Sequence, residues 1–321
     1  MVEHKNNKLL VVVCPFSCLF VIIVISFTHT PKSPLTHLSR TKKNMKQLQI
    51  LKNIEDLKLL RDLYKKESLA TRHGYYTLTN FINWFELNPH LDFVKVYVVS
   101  STWRESGFYI IEDQYQLFIN CVVYNEEEIT MGINSMDWKR AYKITALPAI
   151  LMDIVEKTLQ GLPVKYRHTT LWTYEQDREA IQLNTTQCPE GFEVRPLSVS
   201  DAATVNNLWY SRQDGSLDFL ESVITYNISL GVYRKDTNEL IAWCTRCPCG
   251  FLGTLHVREE HRRHGLASLL INEFSQRLAK EGECVRVMIN EMNRTSMNLF
   301  TKFGFRLHEK VFILFCEPRN I

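Results

Sequence analysis

The stretch Gly253 to Leu270, GTLHVREEHRRHGLASLL, combines a strand, a tight basic turn and a helix start in one short segment. Gly253 to Val257 reads as a strand running into the turn Arg258 to His264. From Gly265 the apolar spacing becomes helical, with Leu266, Leu269, Leu270, Phe274 and Leu278 on one side. The turn therefore lies at a helix N-terminus, where unpaired backbone N–H groups and the positive end of the helix dipole make an anion site. Gly265 and Ala267 keep side chains out of the way, so a phosphate can come close.

Downstream, Cys284 to Ile289 (CVRVMI) reads as a buried strand, and Asn293 as the cap of a helix carrying Ser296, Leu299 and Phe300. Gly304-Phe305 follows, then a last strand, Val311 to Cys316. Upstream, Phe192 to Leu197 is a strand, Ser200 caps a helix through Trp209, and Ser216 to Tyr226 is a second helix. Ile228 to Arg234 and Glu239 to Arg246 form a hairpin around Lys235 to Asn238. In that order of elements, Arg262-x-x-Gly265-x-Ala267 resembles the signature of the GNAT superfamily of acyl-CoA-dependent N-acyltransferases.

At 321 residues, 45% hydrophobic and 23% charged, the chain has a normal globular balance and room for two domains. A net charge of +3, with basic residues spread except around Arg258 to His264, argues against a nucleic-acid partner. Nine cysteines without a secreted-framework spacing favour reduced thiols in a cytosolic or organellar compartment.

Leu9 to Phe27 is an uncharged apolar run of the length needed to cross a bilayer core. Lys32, Arg40, Lys42, Lys43 and Lys46 follow it, so a signal anchor there would leave the folded part in the cytoplasm. A signal peptide is a second reading, although no small-residue cleavage site follows cleanly. A third is that translation begins at Met45 and residues 1–44 are an upstream extension. The expected organisation is a hydrophobic segment and basic linker over 1–44, an N-terminal domain over 45–189 and a catalytic domain over 190–321. Asn184 to Gly191 is the linker between the last two.

Within 45–189, Met45 to Lys66 has leucines at three-residue steps and reads as an amphipathic helix, as does Thr77 to Leu87. Val94 to Ser100, Gly107 to Glu112, Tyr115 to Tyr124 and Thr169 to Tyr174 read as strands, and Asp137 to Leu159 as a helix containing Pro148. This half carries no glycine-rich phosphate turn.

The pairing of such a half with a GNAT-like one, the Trp209-Tyr210 helix end and Arg262-x-His264-Gly265-Leu266 resemble the glycine N-acyltransferase family and its insect relatives. That resemblance implies an α/β fold of two tandem GNAT-like domains, the N-terminal one degenerate, with a mixed, mostly antiparallel sheet flanked by helices. It implies transfer of an acyl group from acyl-CoA, as co-substrate, to the amine of glycine or another small amine. The CoA pyrophosphate would lie on the backbone of Arg263, His264, Gly265, Leu266, Ala267 and Ser268, with Arg262 near its charge. Leu255, His256 and Val257 would pair with the pantetheine amides, and Asn293 and Phe300 complete the expected CoA contacts.

An amine nucleophile is almost wholly protonated at neutral pH, so a base should help by several kcal/mol. The superfamily's usual glutamate, eleven residues before the signature arginine, is replaced here by Phe251, and its usual tyrosine, four before Gly-Phe, by Phe300. His256 is the leading substitute base and Glu291 a second candidate. Because faces alternate along a strand, Phe251 and His256 point opposite ways unless a bulge intervenes. The alternative is a protein that binds acyl-CoA and transfers slowly or not at all; a protein or peptide N-acetyltransferase is a third reading.

Cys244-x-x-Cys247-x-Cys249 invites a metal or acyl-cysteine reading, but no second ligand pair stands at zinc spacing and no metal is expected. Asn184, Asn227 and Asn293 begin glycosylation sequons that matter only in the secretory pathway. The expected location is cytoplasmic or mitochondrial, with or without an anchor at 9–27, and the expected state is a monomer.

Overall fold

The computed structural model describes residues 47–65, 69–177, 179, 181 and 187–319. The apolar run 9–27, the start at Met45, the Asn184 sequon and part of the expected linker lie outside these. Among the described residues no helix is long and apolar enough to cross a membrane.

The chain runs β1 (Leu48–Leu51), α1 (Ile54–Leu63), α2 (Leu69–Leu87), β2 (Val94–Val99), α3 (Trp103–Ser106), β3 (Tyr109–Asp113), β4 (Gln116–Asn120), α4 (Glu126–Asn134), β5 (Tyr142–Pro148), α5 (Met152–Gln160) and β6 (Val164–Gln176). It continues β7 (Phe192–Arg195), α6 (Ala202–Asn207), α7 (Ser216–Tyr226), β8 (Ser229–Arg234), β9 (Leu240–Arg246), β10 (Leu252–Val257), α8 (Leu266–Lys280), β11 (Val285–Asn290), α9 (Arg294–Lys302) and β12 (Arg306–Pro318). All twelve strands join one sheet, in the order β1-β2-β3-β4-β5-β12-β6-β11-β10-β9-β8-β7.

Read from either edge, that order repeats one plan. Four antiparallel strands lead to a parallel step, β4 to β5 or β10 to β11, and the helix that makes each crossover is α4 or α8. The next strand is antiparallel and belongs to the other half: β12 pairs with β5, and β6 pairs with β11. β6 and β12 then pair with each other along nearly their whole length. Two tandem α/β units with exchanged final strands are the result, in agreement with the expected fold class.

Three apolar clusters hold the sheet. Ile129, Ile133, Ile154 and Val155 of α4 and α5 pack on Ile110, Leu117, Ile144 and Leu314. Leu269, Leu270, Phe274 and Leu278 of α8 pack on Leu230, Val232, Ile241 and Val287. The third cluster is shared by the halves, joining Leu57, Phe81, Trp84 and Tyr109 to Val205, Phe219, Trp243 and Phe251. Each such side chain contributes about 1.5–3 kcal/mol when fully buried, so the shared cluster fixes the halves against each other. Trp84 Nε1 donates to Asn227 Oδ1 at 2.7 Å, and Gln114 Nε2 to Ser222 Oγ at 3.0 Å, across the same junction.

Several elements differ from their sequence reading. Met45 to Lys66 is not one helix: Leu48–Leu51 pairs with Val96–Val99, and Asn53, whose Oδ1 accepts from Glu55 N–H at 2.8 Å, starts α1 afterwards. Asp137 to Leu159 is likewise not one helix. Tyr142–Pro148 is a fully buried strand between β4 and β12, with α5 beginning beyond Pro148. Helix α4 precedes it, capped by Asn125, whose side chain accepts from Glu128 N–H at 3.2 Å. Ser198 rather than Ser200 caps the turn into α6, in a capping box with Asp201. Asn227 is engaged by Trp84 and donates to the Arg246 carbonyl at 2.8 Å, so its side chain is part of the packing.

Candidate active site

The site grows from one irregularity in β10. Its register on β9 runs Gly253 to Thr245 and then His256 to Trp243, so one extra residue lies in β10 between them. Thr254 takes φ 48° within this bulge. On the other side β10 meets β11 at Leu252 and Val287 alone, so the Leu255–Val257 edge facing β11 has no strand partner. An edge of free amides is what an amide-bearing chain needs in order to add to a sheet.

The open edge leads to the turn. Arg263 and Gly265 both adopt positive φ, 67° and 77°. The first bond of α8 runs from Leu269 N–H to the Gly265 carbonyl at 2.9 Å. The N–H groups of Gly265, Leu266, Ala267 and Ser268 therefore precede the helical ladder. A Cβ built on Gly265 would meet nothing within 4 Å, so the space in front of these groups is open. A cleft of ≈ 510 Å³ joins the two features, lined by Leu255–Val257, the Arg262–Arg263 turn, the start of α8, and Thr295, Ser296 and Leu299 of α9.

Its charge is positive. Arg262 is exposed, donates from Nε to the Val257 carbonyl at 3.2 Å, and lies 3.8 Å from Glu259. Arg263 is exposed and has no ion-pair partner among the described residues. Arg258 is held by Glu239 at 2.9 Å, behind the turn.

His256 is half-buried, its ring stacked on Trp243 at 4.6 Å and 22°. No described residue hydrogen-bonds to its ring nitrogens. Burial first, then Arg262 and Arg258, hold its imidazole below the usual histidine range, so it stands neutral and able to accept a proton at neutral pH. Trp243 and Phe251 belong to the same cluster, and the bulge is what turns His256 onto that face.

The residues singled out in sequence distribute unevenly. Leu255, His256, Val257, Arg262, Arg263, Gly265, Leu266, Ala267 and Ser268 line the cleft. His264 is exposed and does not line it. Asn293 serves as the cap of α9, accepting from Ser296 N–H at 3.0 Å. Phe300 is 2% exposed and meets Phe305 edge-on at 5.0 Å, which corrects its reading as a CoA contact: the ring is core. Glu291 is exposed in the turn after β11 and does not line the cleft, which removes the geometric ground for it as a base. His261, Thr295, Ser296 and Leu299 line the cleft without having been singled out. Thr295 and Ser296 were discoverable, since they open the helix that Asn293 caps.

Phe251 is 1% exposed, between the His73 ring at 5.4 Å and the Arg286 guanidinium at 4.6 Å. Burial pushes the Cys247 thiol up to about 12 and Cys249 up to about 11, and raises Cys244 further, so none offers a thiolate for an acyl-cysteine step.

The N-terminal half repeats the topology without the anion site. Helix α4, at the place of α8, opens with Glu126, Glu127 and Glu128. Three carboxylates at a positive helix end oppose a phosphate rather than receive one.

Residues 229–313 match the family model described as FR47-like protein. No curated protein matches the chain. Among solved structures, a Drosophila protein is similar over 86% of this chain and 100% of its own, at 22% identity and a TM-score of 0.77. A tandem GNAT protein from the clavulanic acid biosynthesis pathway, solved without AcCoA, is similar over 86% of this chain and 99% of its own, at 14% identity and a TM-score of 0.52. The chain thus has a tandem GNAT fold, with the FR47-like stretch covering the bulged strand, the basic turn and α8 in its C-terminal half.

Proposed function

We propose that this protein is an acyl-CoA-dependent N-acyltransferase acting on a small amine such as glycine. The observation that carries the reading is the continuity of the free Leu255–Val257 edge with the open, positively charged N-terminus of α8. Those two features suit the two ends of one ligand: amides on the strand edge, and phosphates on the N–H groups of Gly265 to Ser268 beside Arg262 and Arg263.

A thioester at the inner end of that edge meets His256. The neutral imidazole takes a proton from the acceptor ammonium, and the amine nitrogen attacks the thioester carbon. The C–N bond forms, the C–S bond breaks, and the nitrogen's second proton passes through solvent to the departing thiolate, so CoA leaves as the thiol while His256 releases the first proton to solvent. No acid stands at Phe300, but a thiol ionises far more readily than an alcohol, so a thiolate leaves without one. In this reading CoA binds the C-terminal half alone, because α4 opens the equivalent place of the N-terminal half with carboxylates.

A catalytically weak acyl-CoA-binding protein is the second reading, favoured by the apolar Phe251 and Phe300 positions. Calorimetric titration of CoA tests the shared premise. Wild type should bind, and Gly265→Glu, which adds a carboxylate to the open space, should bind at least tenfold more weakly. Equal affinity in both would remove the cleft from consideration.

A further inference from the structure

One row of side chains crosses the inner face of the N-terminal half: Asp113 pairs with Gln116, Gln116 with Lys143, and Lys143 with Phe315 on β3, β4, β5 and β12. Lys143 is 7% exposed and has neither a hydrogen bond nor an ion pair among the described residues. Its Nζ lies 5.9 Å from the Phe315 ring and 5.7 Å from the Trp209 ring, the latter supplied by the C-terminal half. Gln116 Nε2 and Tyr115 OH are also buried without a partner. A mostly buried lysine, its ammonium still touching solvent, and two fully buried potential donors are thus gathered without a partner among the described residues, an arrangement that is costly unless a ligand meets it.

The row sits beside the reacting strand. Cys247, a near neighbour of Lys143 and Tyr115, places its Sγ where a Cβ on Gly253 would stand, 2.3 Å away, at the start of the β10 bulge. Tyr115 and Phe315 also line a cleft of ≈ 490 Å³ that carries Arg140, Asp214, Asp218 and Glu317, so an opening reaches the Phe315 ring on one side of the ammonium.

We infer that Lys143, assisted by Gln116 and Tyr115, receives the carboxylate of the acceptor and makes the enzyme selective for amino acids over simple amines. The assignment rests on the transferase reading above. It gives the N-terminal half a role: it carries the acceptor's anchor, while the C-terminal half carries the thioester. Asp113 is the carboxylate within the row that could instead be the lysine's counter-charge; it stands two strands away with Gln116 between, and makes no ion pair with Lys143 among the described residues.

The test compares glycine with glycinamide as acceptors at saturating acetyl-CoA in wild type, Lys143→Met and Asp113→Asn. Wild type should prefer glycine, and Lys143→Met should lower kcat/KM for glycine about 10- to 100-fold while leaving glycinamide within a few-fold. Asp113→Asn should keep the preference. Melting temperature guards against misfolding, since Lys143→Met removes an unpaired buried charge and should melt no lower than wild type. An unchanged glycine preference in Lys143→Met would overturn the assignment, as would loss of the preference in Asp113→Asn. If no acceptor turns over, the transferase reading fails, and N-acetylglycine binding by saturation-transfer NMR decides on Lys143 alone: loss in Lys143→Met sustains the carboxylate site, equal signals refute it.

Discussion

Phe251 and His256 lie five residues apart on one strand segment yet face the same side of the sheet, because the bulge between Gly253 and His256 inserts one residue. The place to which the family resemblance assigns a glutamate is packed with a phenyl ring, and the imidazole is delivered to the same face further along. The role proposed for His256 therefore depends on a backbone irregularity.

Replacing His256 by Ala should lower kcat by about 10²- to 10⁴-fold while leaving CoA affinity nearly unchanged. Because its pKa is depressed, the wild-type acid limb of kcat/KM should have its midpoint below the ordinary histidine value of 6.5. A pH–rate profile of both proteins checks this: the imidazole works as a base only above its pKa, so activity should fall as pH falls through it.

Phe251 is structural. Its ring is clasped by His73 and Arg286 in the cluster shared by the two halves. Phe251→Ala should destabilise the fold by about 3–5 kcal/mol, read as a drop in chemical-denaturation midpoint.

Asp113 is fully buried, and burial pushes its pKa up to about 7 from an ordinary 3.8. A raised folded pKa favours the protonated fold, so the stability it brings is complete below pH 3.8 and is lost as pH rises through about 7. Asp113→Asn should thus raise the melting temperature relative to wild type more at pH 8.5 than at pH 5, and least below pH 3.8. Melting curves across that range decide the matter.

The Cys247 and Cys249 thiols should be inert. Pushed up to about 12 and about 11, they hold on the order of one thiolate in 10³ or fewer at pH 7.5, and Cys249 is buried and Cys247 half-buried besides. A short pulse of maleimide on native protein, read by peptide mass spectrometry, should leave both unmodified.

The cleft was largely legible because its parts are local: a strand, a basic turn and a helix start within Gly253 to Leu270 fix one another by chain connectivity alone. The bulge was expected only as a condition on His256, since an extra residue in one strand is visible only against its partner. The segment Asp137 to Leu159 misled because a fully buried strand shows no alternation and reads like a buried helix, which moved Lys143 off the sheet. The exchange of β6 and β12 is a pairing across 140 or so residues, and no local pattern announces it.

In the proposed function the cleft at β10 and α8 transfers acyl groups to an amine. The most direct test follows CoA release with a thiol reagent, using the full chain, short and aromatic acyl-CoAs and a panel of amino acids, with Arg262→Ala combined with Gly265→Glu as control. Acceptor-dependent release by wild type, absent in the control, is the expected result. Acyl-CoA binding with no acceptor-dependent release against any amine would contradict the claim and leave a binding protein in its place.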